Sequence, residues 1–226
     1  MKARFFSISM LSALLLVFTQ LPEQAFSYSY GFYNISANNA VNAATGEAQL
    51  SVDVTDYGSN QVLFTFLNAG PQASSITDVY FDDGTLFDNL AGLIDADQNN
   101  GDPGVKFTQW AKPKNLPAAN NASPPFETTK GFSADSDSSV QPNGVNPGES
   151  LGVIFGLLAG KDLSDTIAAL GTGALRIGIH VQGFANGGSE SFVNNPPAQA
   201  VPEPAIMLLL GSSLIGLAGF RRRQKR

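Results

Sequence analysis

Acidic and amide side chains recur at alternate positions between residues 95 and 102, a spacing that can direct several oxygens at one cation. The candidate calcium ligands are Asp95, Asp97, Asn99 and Asp102. The run departs from the EF-hand pattern, because its sixth position is Asn100 instead of glycine and its twelfth is Lys106 instead of glutamate. We therefore favour a solvated turn rich in Asp and Asn, with calcium binding by another type of loop as the alternative. No other cofactor is expected.

A second set of side chains could support hydrolysis, but their arrangement in the sequence is poor for it. His180 is the only histidine, and a serine triad would need it together with Ser150 or Ser189, neither of which lies in a G-x-S-x-G turn. Asp82 and Asp83 are a candidate acid/base pair, yet adjacent residues of a strand point to opposite faces. We therefore expect His180 to be an exposed strand residue and the protein not to be an enzyme, with a carboxylate hydrolase as a further hypothesis.

Seven aromatic residues could form a platform for sugar rings, because aromatic side chains present flat apolar faces with polar edges. They are Tyr28, Tyr30, Phe32, Tyr33, Tyr57, Tyr80 and Trp110. We favour the alternative, in which these rings pack in the core and at the sheet edges. The acidic run at 133–139 is likewise expected to be a solvated loop and not a set of ligands.

These side chains must be positioned by residues 28–201, since both ends of the chain have the appearance of targeting segments. This region is long enough for one ordinary domain and short for two. It holds six basic and 17 acidic residues, a net charge of −11, which would repel phosphate backbones, so no nucleic-acid partner is expected. The chain has no cysteine, which excludes disulfides, thiolate metal sites and cysteine nucleophiles.

Short apolar runs between Gly, Asn, Ser and Pro turn signals predict an all-β fold, with a single antiparallel β-sandwich-like domain over residues 28–195. Strands are predicted at 47–56, 62–67, 76–81, 150–158, 175–181 and 189–193. One short helix is predicted at 161–170, with Asp162 or Ser164 as its N-cap and Gly171 at its end. Residues 97–149 are predicted to be a long irregular excursion that packs on the sandwich through aromatic side chains. These are Phe107, Trp110, Phe126 and Phe132.

The N-terminus has the three parts of a secretory signal peptide. Lys2 and Arg4 precede an apolar run at 5–18, and Ala25-Phe26-Ser27 fits the small-x-small rule for cleavage. We predict export through the Sec translocon and removal of residues 1–27 by signal peptidase. Retention as an N-terminal anchor is the alternative, and the run is short for a membrane span.

The C-terminus carries the most specific pattern in the chain. A linker at 196–201 leads to Val201-Pro202-Glu203-Pro204, which is followed by an uncharged apolar stretch at 205–220. As a helix this stretch is about 24 Å long at ~1.5 Å per residue. We predict that it spans the membrane, since snorkelling cations and local thinning offset its shortfall from a hydrocarbon core of ~30 Å. Five terminal cations would keep the tail in the cytoplasm. They are Arg221, Arg222, Arg223, Lys225 and Arg226.

This tail resembles the PEP-CTERM sorting signal, in which a Pro-Glu-Pro tripeptide, a hydrophobic helix and a basic cluster end the protein. Pro202-Glu203-Pro204 matches the tripeptide, 205–220 the helix and 221–226 the cluster. The resemblance implies a Gram-negative exported protein that an exosortase recognises and cuts near the motif. The precursor would be held among inner-membrane lipids, and the mature form would reach the cell surface or an exopolysaccharide matrix. A plain C-terminal membrane anchor is the alternative.

Parts of the core, at 124–129, 131–149 and 175–194, also resemble exported PEP-CTERM proteins of unassigned activity, a resemblance that implies no catalytic residues. We therefore expect an exported protein of the cell surface or extracellular matrix, structural or exopolysaccharide-associated, and non-catalytic. The alternative is a calcium-dependent carbohydrate-binding module that uses the run at 95–102 and surface aromatics.

Overall fold

The computed structural model describes residues 27–96 and 104–195, and within these ranges ten β-strands form one antiparallel sheet. The strands are β1 (Tyr28–Asn34), β2 (Leu50–Gly58), β3 (Gln61–Asn68), β4 (Ser75–Asp83), β5 (Phe87–Ala96), β6 (Phe107–Gln109), β7 (Ser133–Ser136), β8 (Ser150–Leu157), β9 (Leu175–Gln182) and β10 (Glu190–Asn194). Their order in the sheet is β5-β8-β3-β2-β1-β10-β9-β4-β7-β6. The predicted all-β fold is confirmed.

The sheet folds over at β1, which belongs to two half-sheets. The beginning of β1 pairs with β2, and its last residues pair with β10. The first half-sheet is β5-β8-β3-β2 with the beginning of β1. The second is the end of β1 with β10-β9-β4-β7-β6. Across them, Phe81 of β4 contacts Phe64 of β3 and Phe155 of β8 at ring-centroid distances of 5.1 and 4.6 Å. The two half-sheets therefore pack face to face, as in a sandwich.

Side-chain alternation along the strands accounts for this core. In β9, the residues Leu175, Ile177, Ile179 and Val181 are fully buried, as their period of two predicts. Val62, Phe64 and Phe66 of β3 are buried in the same way. Each such side chain contributes about 1.5–3 kcal/mol relative to an exposed position.

The described residues contain three α-helices, where the sequence predicts one. They are α1 (Ala40–Gln49), α2 (Val140–Asn143) and α3 (Leu163–Thr172), with a 3-10 turn at Ala119–Asn121. The predicted strand start at residue 47 is wrong, because residues 47–49 end α1. Asn39 caps this helix by accepting from the N–H groups of Val41 and Asn42, and Gly46 allows it to approach the ring of Phe192.

α3 confirms the predicted helix, displaced by two residues. Asp162 is the N-cap and forms a capping box with Asp165, in which each carboxylate accepts the backbone N–H of the other residue. The predicted end at Gly171 is wrong. The helix continues to Thr172 and ends at Gly173, whose φ of 75° lies in the left-handed region that favours glycine.

The described part of the excursion, residues 104–149, is mostly irregular but adds β6 and β7 to the second half-sheet. It also covers the outer face of that half-sheet with a second apolar cluster. The cluster consists of Ile35, Tyr80, Ala111, Leu116, Ala122, Phe126 and Val193. Gly178 of β9 makes this close approach possible, because a Cβ there would lie 2.7 Å from the side chain of Leu116.

Three of the four aromatic residues expected to hold the excursion do so. Phe107 and Phe126 are buried, and Phe132 packs against the main core. The expectation is wrong for Trp110, whose residue surface is 55 % exposed.

Several predictions lie outside the described residues. These are residues 1–26 of the signal peptide, the linker from residue 196, the motif at 201–204, the helix at 205–220 and the cations at 221–226. None of the helices at 27–96 and 104–195 is both long and apolar enough to cross a bilayer.

Candidate functional site

Trp110 is the only tryptophan of the chain and follows directly after β6. Its φ of 83° lies in the left-handed region, which is rare for a bulky residue and costs about 1–3 kcal/mol. The chain therefore leaves the extended path of β6 at this residue, and the indole stands at the surface instead of in the core.

The neighbouring backbone holds Trp110 in this conformation. Its N–H donates to the carbonyl of Ser133 at 2.8 Å, and the N–H of Ala111 donates to Ser133 Oγ at 3.1 Å. The indole lies over Gly131, where a Cβ would come within 3.2 Å of the ring. The carbonyl of Gly131 also accepts from Gln109 Nε2 at 2.7 Å. The position of the ring is thus fixed by β7 and by the turn that precedes it.

Two cavities flank the indole, with volumes of about 460 and 350 Å³. The lining of the larger one includes Lys112, Lys114, Lys130, Asn115 and Thr128. Thr108, Gln109 and Asp135 contribute to the smaller one. We call Trp110 together with these two cavities the Trp110 surface. Both volumes lie within the range of small-ligand sites.

A pair of carboxyl groups adjoins the smaller cavity. Asp135 of β7 is the cross-strand neighbour of Asp78 of β4, and Asp78 is only 3 % exposed. Burial raises the pKa of Asp78 to about 7; a hydrogen bond from Thr77 opposes this increase and the Asp135 carboxyl adds to it. Burial also raises the pKa of Asp135. Because burial disfavours the charged form of both carboxyl groups, and the Asp135 carboxylate adds to this effect at Asp78, the pair retains a shared proton up to about pH 7.

Neutral hydroxyl groups complete the surroundings of Asp78. Thr77 Oγ1 donates to Asp78 Oδ2 at 2.9 Å. The Tyr80 hydroxyl lies 3.3 Å from Asp78 Oδ1 and 3.1 Å from the carbonyl of Pro113, and burial raises the pKa of Tyr80 well above its usual value. Tyr80 therefore stays a hydrogen-bond donor at physiological pH.

The sequence analysis missed this carboxyl pair. The run at 133–139, predicted to be a solvated loop, instead contributes β7, in which Ser133 and Ser136 are buried. One sequence feature could have indicated the pair: Asp78 is an acidic residue inside an otherwise apolar strand, and a buried acidic residue needs polar partners.

Asp82 and Asp83 do not form an acid/base pair. Asp82 forms a salt bridge with Arg176, whose guanidinium also donates to two backbone carbonyls of the excursion at 2.6 Å. Asp83 accepts from backbone N–H groups of residues 85–87 and closes the turn before β5. Each carboxylate is engaged by different structural partners.

His180 is partly buried, and its predicted exposure is wrong. Its Nδ1 lies 3.0 Å from Ser191 Oγ. Burial lowers the pKa of the imidazole, and the carboxylate of Glu190 opposes this shift. The serine beside His180 is thus Ser191 and not one of the two considered from the sequence, and Ser191 is itself 1 % exposed.

Glu190 is a further buried carboxylate that the sequence analysis missed. It accepts from Ser36 Oγ at 2.5 Å, from Asn34 Nδ2 at 3.0 Å, and from the N–H groups of Asn38 and Asn39 at 3.1 and 2.6 Å. Burial raises the pKa of Glu190, but these hydrogen bonds outweigh burial, so the pKa lies below its ordinary value. The carboxylate therefore holds the loop that leads into α1.

The calcium ligand set stays a prediction. Asp95 lies in β5, where it pairs with Leu151 of β8, whereas Asp97, Asn99 and Asp102 are outside the described residues. Among the residues that the structure does describe, no three or more His, Asp and Glu side chains are grouped so that they could hold a metal ion.

The aromatic residues divide between core and surface. Tyr30, Phe32 and Tyr80 are buried, in agreement with the favoured interpretation. Tyr57 and Trp110 are exposed by 48 and 55 %, and of these two Trp110 stands beside the cavities of the Trp110 surface.

Comparison with known proteins identifies the C-terminal segment. Residues 200–223 match the model of the PEP-CTERM protein-sorting motif. The match includes the Pro-Glu-Pro tripeptide, the apolar stretch and the first three arginines of the basic cluster. It confirms the predicted sorting motif. None of the curated proteins matches the chain.

Proposed function

We propose that this protein is a non-catalytic component of the cell surface or extracellular matrix and is associated with exopolysaccharide. The observation that carries the proposal is the sorting motif at 200–223, which supports an exported protein processed by an exosortase from a membrane-anchored precursor. Export would begin at the Sec translocon, and signal peptidase would remove residues 1–27. The exosortase would then cut near Pro202-Glu203-Pro204 while 205–220 spans the inner membrane.

The state of the polar side chains supports a non-catalytic role. Asp82 is neutralised by Arg176, and Asp83 is saturated by backbone N–H groups. Asp78 is almost fully buried, and Ser191 beside His180 is only 1 % exposed. A general acid or nucleophile must reach its substrate, and these groups are engaged in holding strands and loops together.

Intact-mass analysis of the protein from each cell fraction tests the proposal. We expect a matrix-associated form that lacks both ends of the chain, and an uncut C-terminus in cells without an exosortase. The matched experiment uses cells that make no exopolysaccharide, from which the mature protein should be lost into the medium. Full-length protein in the cytoplasm, uncut at both ends, would contradict the proposal.

The second candidate function is carbohydrate binding, and the exposure of Trp110 beside two cavities favours it. In the calcium-dependent form of this hypothesis, Asp95, Asp97, Asn99 and Asp102 hold the ion. Calorimetric titration of the protein with calcium would test this part by itself. A stoichiometric signal that is lost in Asp97→Asn, and kept in the exposed control Asp88→Asn, would support a calcium site; equal titrations of both variants would exclude it.

A further inference from the structure

The charges of the domain are distributed unevenly. Residues 28–201 have a net charge of −11, yet the excursion carries four of the six basic residues in that range, Lys106, Lys112, Lys114 and Lys130. Lys106 is paired with Asp137 at 3.5 Å. The other three lysines line the larger cavity beside Trp110, and its lining, as formed by described residues, includes no carboxylate. A negatively charged ligand would therefore be attracted to this cavity and repelled by most of the remaining surface.

The indole of Trp110 adds a second kind of recognition. A sugar ring has a flat face of C–H groups bordered by hydroxyls, which suits a flat aromatic ring with polar groups around it. Asn115, an exposed residue of the same cavity, can donate to and accept from such hydroxyls. An apolar face with a few convergent polar groups is the usual composition of a small-ligand site.

The ring is also held in place before any ligand arrives. Trp110 is kept in its left-handed conformation by Ser133 and packed over Gly131. Backbone strain of this kind is concentrated at functional sites, and a prepositioned side chain loses less conformational entropy on binding.

We propose that the Trp110 surface binds an acidic polysaccharide, with one sugar ring on the indole and negatively charged groups of the chain at Lys112, Lys114 and Lys130. This inference rests on the proposed association with exopolysaccharide and names the class of polysaccharide. The smaller cavity is lined by Asp135 and Asp137 and would repel a negatively charged group, so the charged groups of the chain belong in the larger cavity. A recessed cavity beside the ring suits a polymer that continues past the stacked unit, whereas a flat membrane surface would not enter it.

The single tryptophan gives a direct measurement. The full-length protein in non-ionic detergent is titrated with polygalacturonate, and with dextran as the neutral polysaccharide, while tryptophan emission is followed. We expect a saturable change in emission with polygalacturonate that weakens as salt is added, and no comparable change with dextran. Equal responses to both polymers, or no response to either, would overturn the inference.

Variants separate the two parts of the site. Replacing Lys112, Lys114 and Lys130 by Gln should weaken polygalacturonate binding about tenfold or more, since each exposed cation contributes up to ~1 kcal/mol. Lys161→Gln, a lysine outside the excursion, should bind like the wild type. Trp110→Ala should weaken polygalacturonate binding at least about tenfold in calorimetric titration, as expected for a central aromatic anchor. The exposed-aromatic control Tyr57→Ala should bind with the affinity of the wild type. Unchanged thermal unfolding of these surface variants establishes that each is folded.

The remaining outcomes distinguish this inference from the proposed function. Binding to vesicles of anionic lipid that exceeds binding to polygalacturonate, and that is lost in the lysine and Trp110 variants, would assign the surface to a membrane and overturn the inference. Protein retained in the matrix by exopolysaccharide but unaffected by the lysine and tryptophan substitutions would overturn the inference and leave the proposed function standing. Specific binding in vitro by a protein that never reaches the matrix would support the inference and contradict the proposed function.

Discussion

The shared proton of Asp78 and Asp135 makes the stability of the domain depend on pH in a definite direction. The Asp78 carboxyl has a pKa of about 7 in the folded protein and an ordinary value of about 3.9 in an unfolded chain. Between these values the folded state binds more protons than the unfolded state, so the free energy of unfolding falls as the pH rises from about 4 to about 7 and is level above. At ~1.36 kcal/mol per pKa unit, the full decrease is at most about 4 kcal/mol.

Asp78→Asn should remove this decrease. The amide has the shape of the protonated carboxyl group, so its oxygen can accept from Thr77 and its nitrogen can donate to the Asp135 carboxylate. At about pH 8 we expect the variant to be more stable than the wild type by as much as ~4 kcal/mol. At about pH 5, which is only ~1.1 pH units above the pKa of the unfolded chain, the difference should fall to ~1.5 kcal/mol. Urea unfolding of the full-length protein in non-ionic detergent, followed by circular dichroism, measures both values.

Groups that do not interact with Asp78 affect both proteins alike, whereas Asp135 is coupled to Asp78, so the difference between the two proteins reports the carboxyl pair. Burial raises the pKa of Asp135; Lys112 opposes that shift and Asp137 adds to it. His180, the cross-strand neighbour of Asp78 on β9, has a lowered pKa and therefore reduces stability as the pH falls below its ordinary value. The exposed Asp88→Asn is the matched control and should follow the wild type. A stability difference between Asp78→Asn and wild type that is the same at both pH values would refute the shared proton.

Three further perturbations test other parts of the structure. Replacing Pro202 and Pro204 by Ala should let the following helix extend into the motif and leave the precursor uncut, as seen by intact mass; normal cleavage would remove that explanation. Gly46→Ala places a Cβ 2.2 Å from the Phe192 ring and should lower the free energy of unfolding by about 1–3 kcal/mol, so an unchanged thermal midpoint would contradict the packing of α1. Arg176→Gln removes the contacts to the two excursion carbonyls, and limited proteolysis should then cut the excursion sooner than in Lys161→Gln.

The strands were predictable where the evidence is local. Alternation over 175–181 is a property of consecutive residues, and β9 buries that stripe as predicted. The same rule fails at 47–49, because Asn39 caps a helix that includes these residues and Gly46 lets that helix pack closely against Phe192. The N-cap of α3 was predictable from Asp162, whereas its end was not, since the sequence offers two glycines, Gly171 and Gly173, and only the second takes the left-handed conformation.

The candidate site depended on contacts between distant parts of the chain. Asp78 and Asp135 meet only because β7 pairs with β4, and nothing near either residue in the sequence indicates the other. Trp110 resembles the aromatic residues that do hold the excursion, such as Phe107 and Phe126. Its exposure comes from a left-handed backbone conformation that a bulky residue rarely adopts, and from the space that Gly131 leaves beneath the ring.

β7 connects the carboxyl pair to the Trp110 surface. The strand has four residues, of which Asp135 faces Asp78 and Ser133 holds the backbone of Trp110 through its carbonyl group. Repulsion between ionised Asp78 and Asp135 would weaken the pairing of β7 with β4, and so act on the strand that positions the indole. The lysines around the larger cavity instead attract a ligand by charge, which acts over several ångströms and depends less on the exact position of β7, although Ser133 of β7 also lines that cavity. The geometry of stacking on Trp110 should therefore respond to protonation of the pair more strongly than electrostatic attraction to the excursion does.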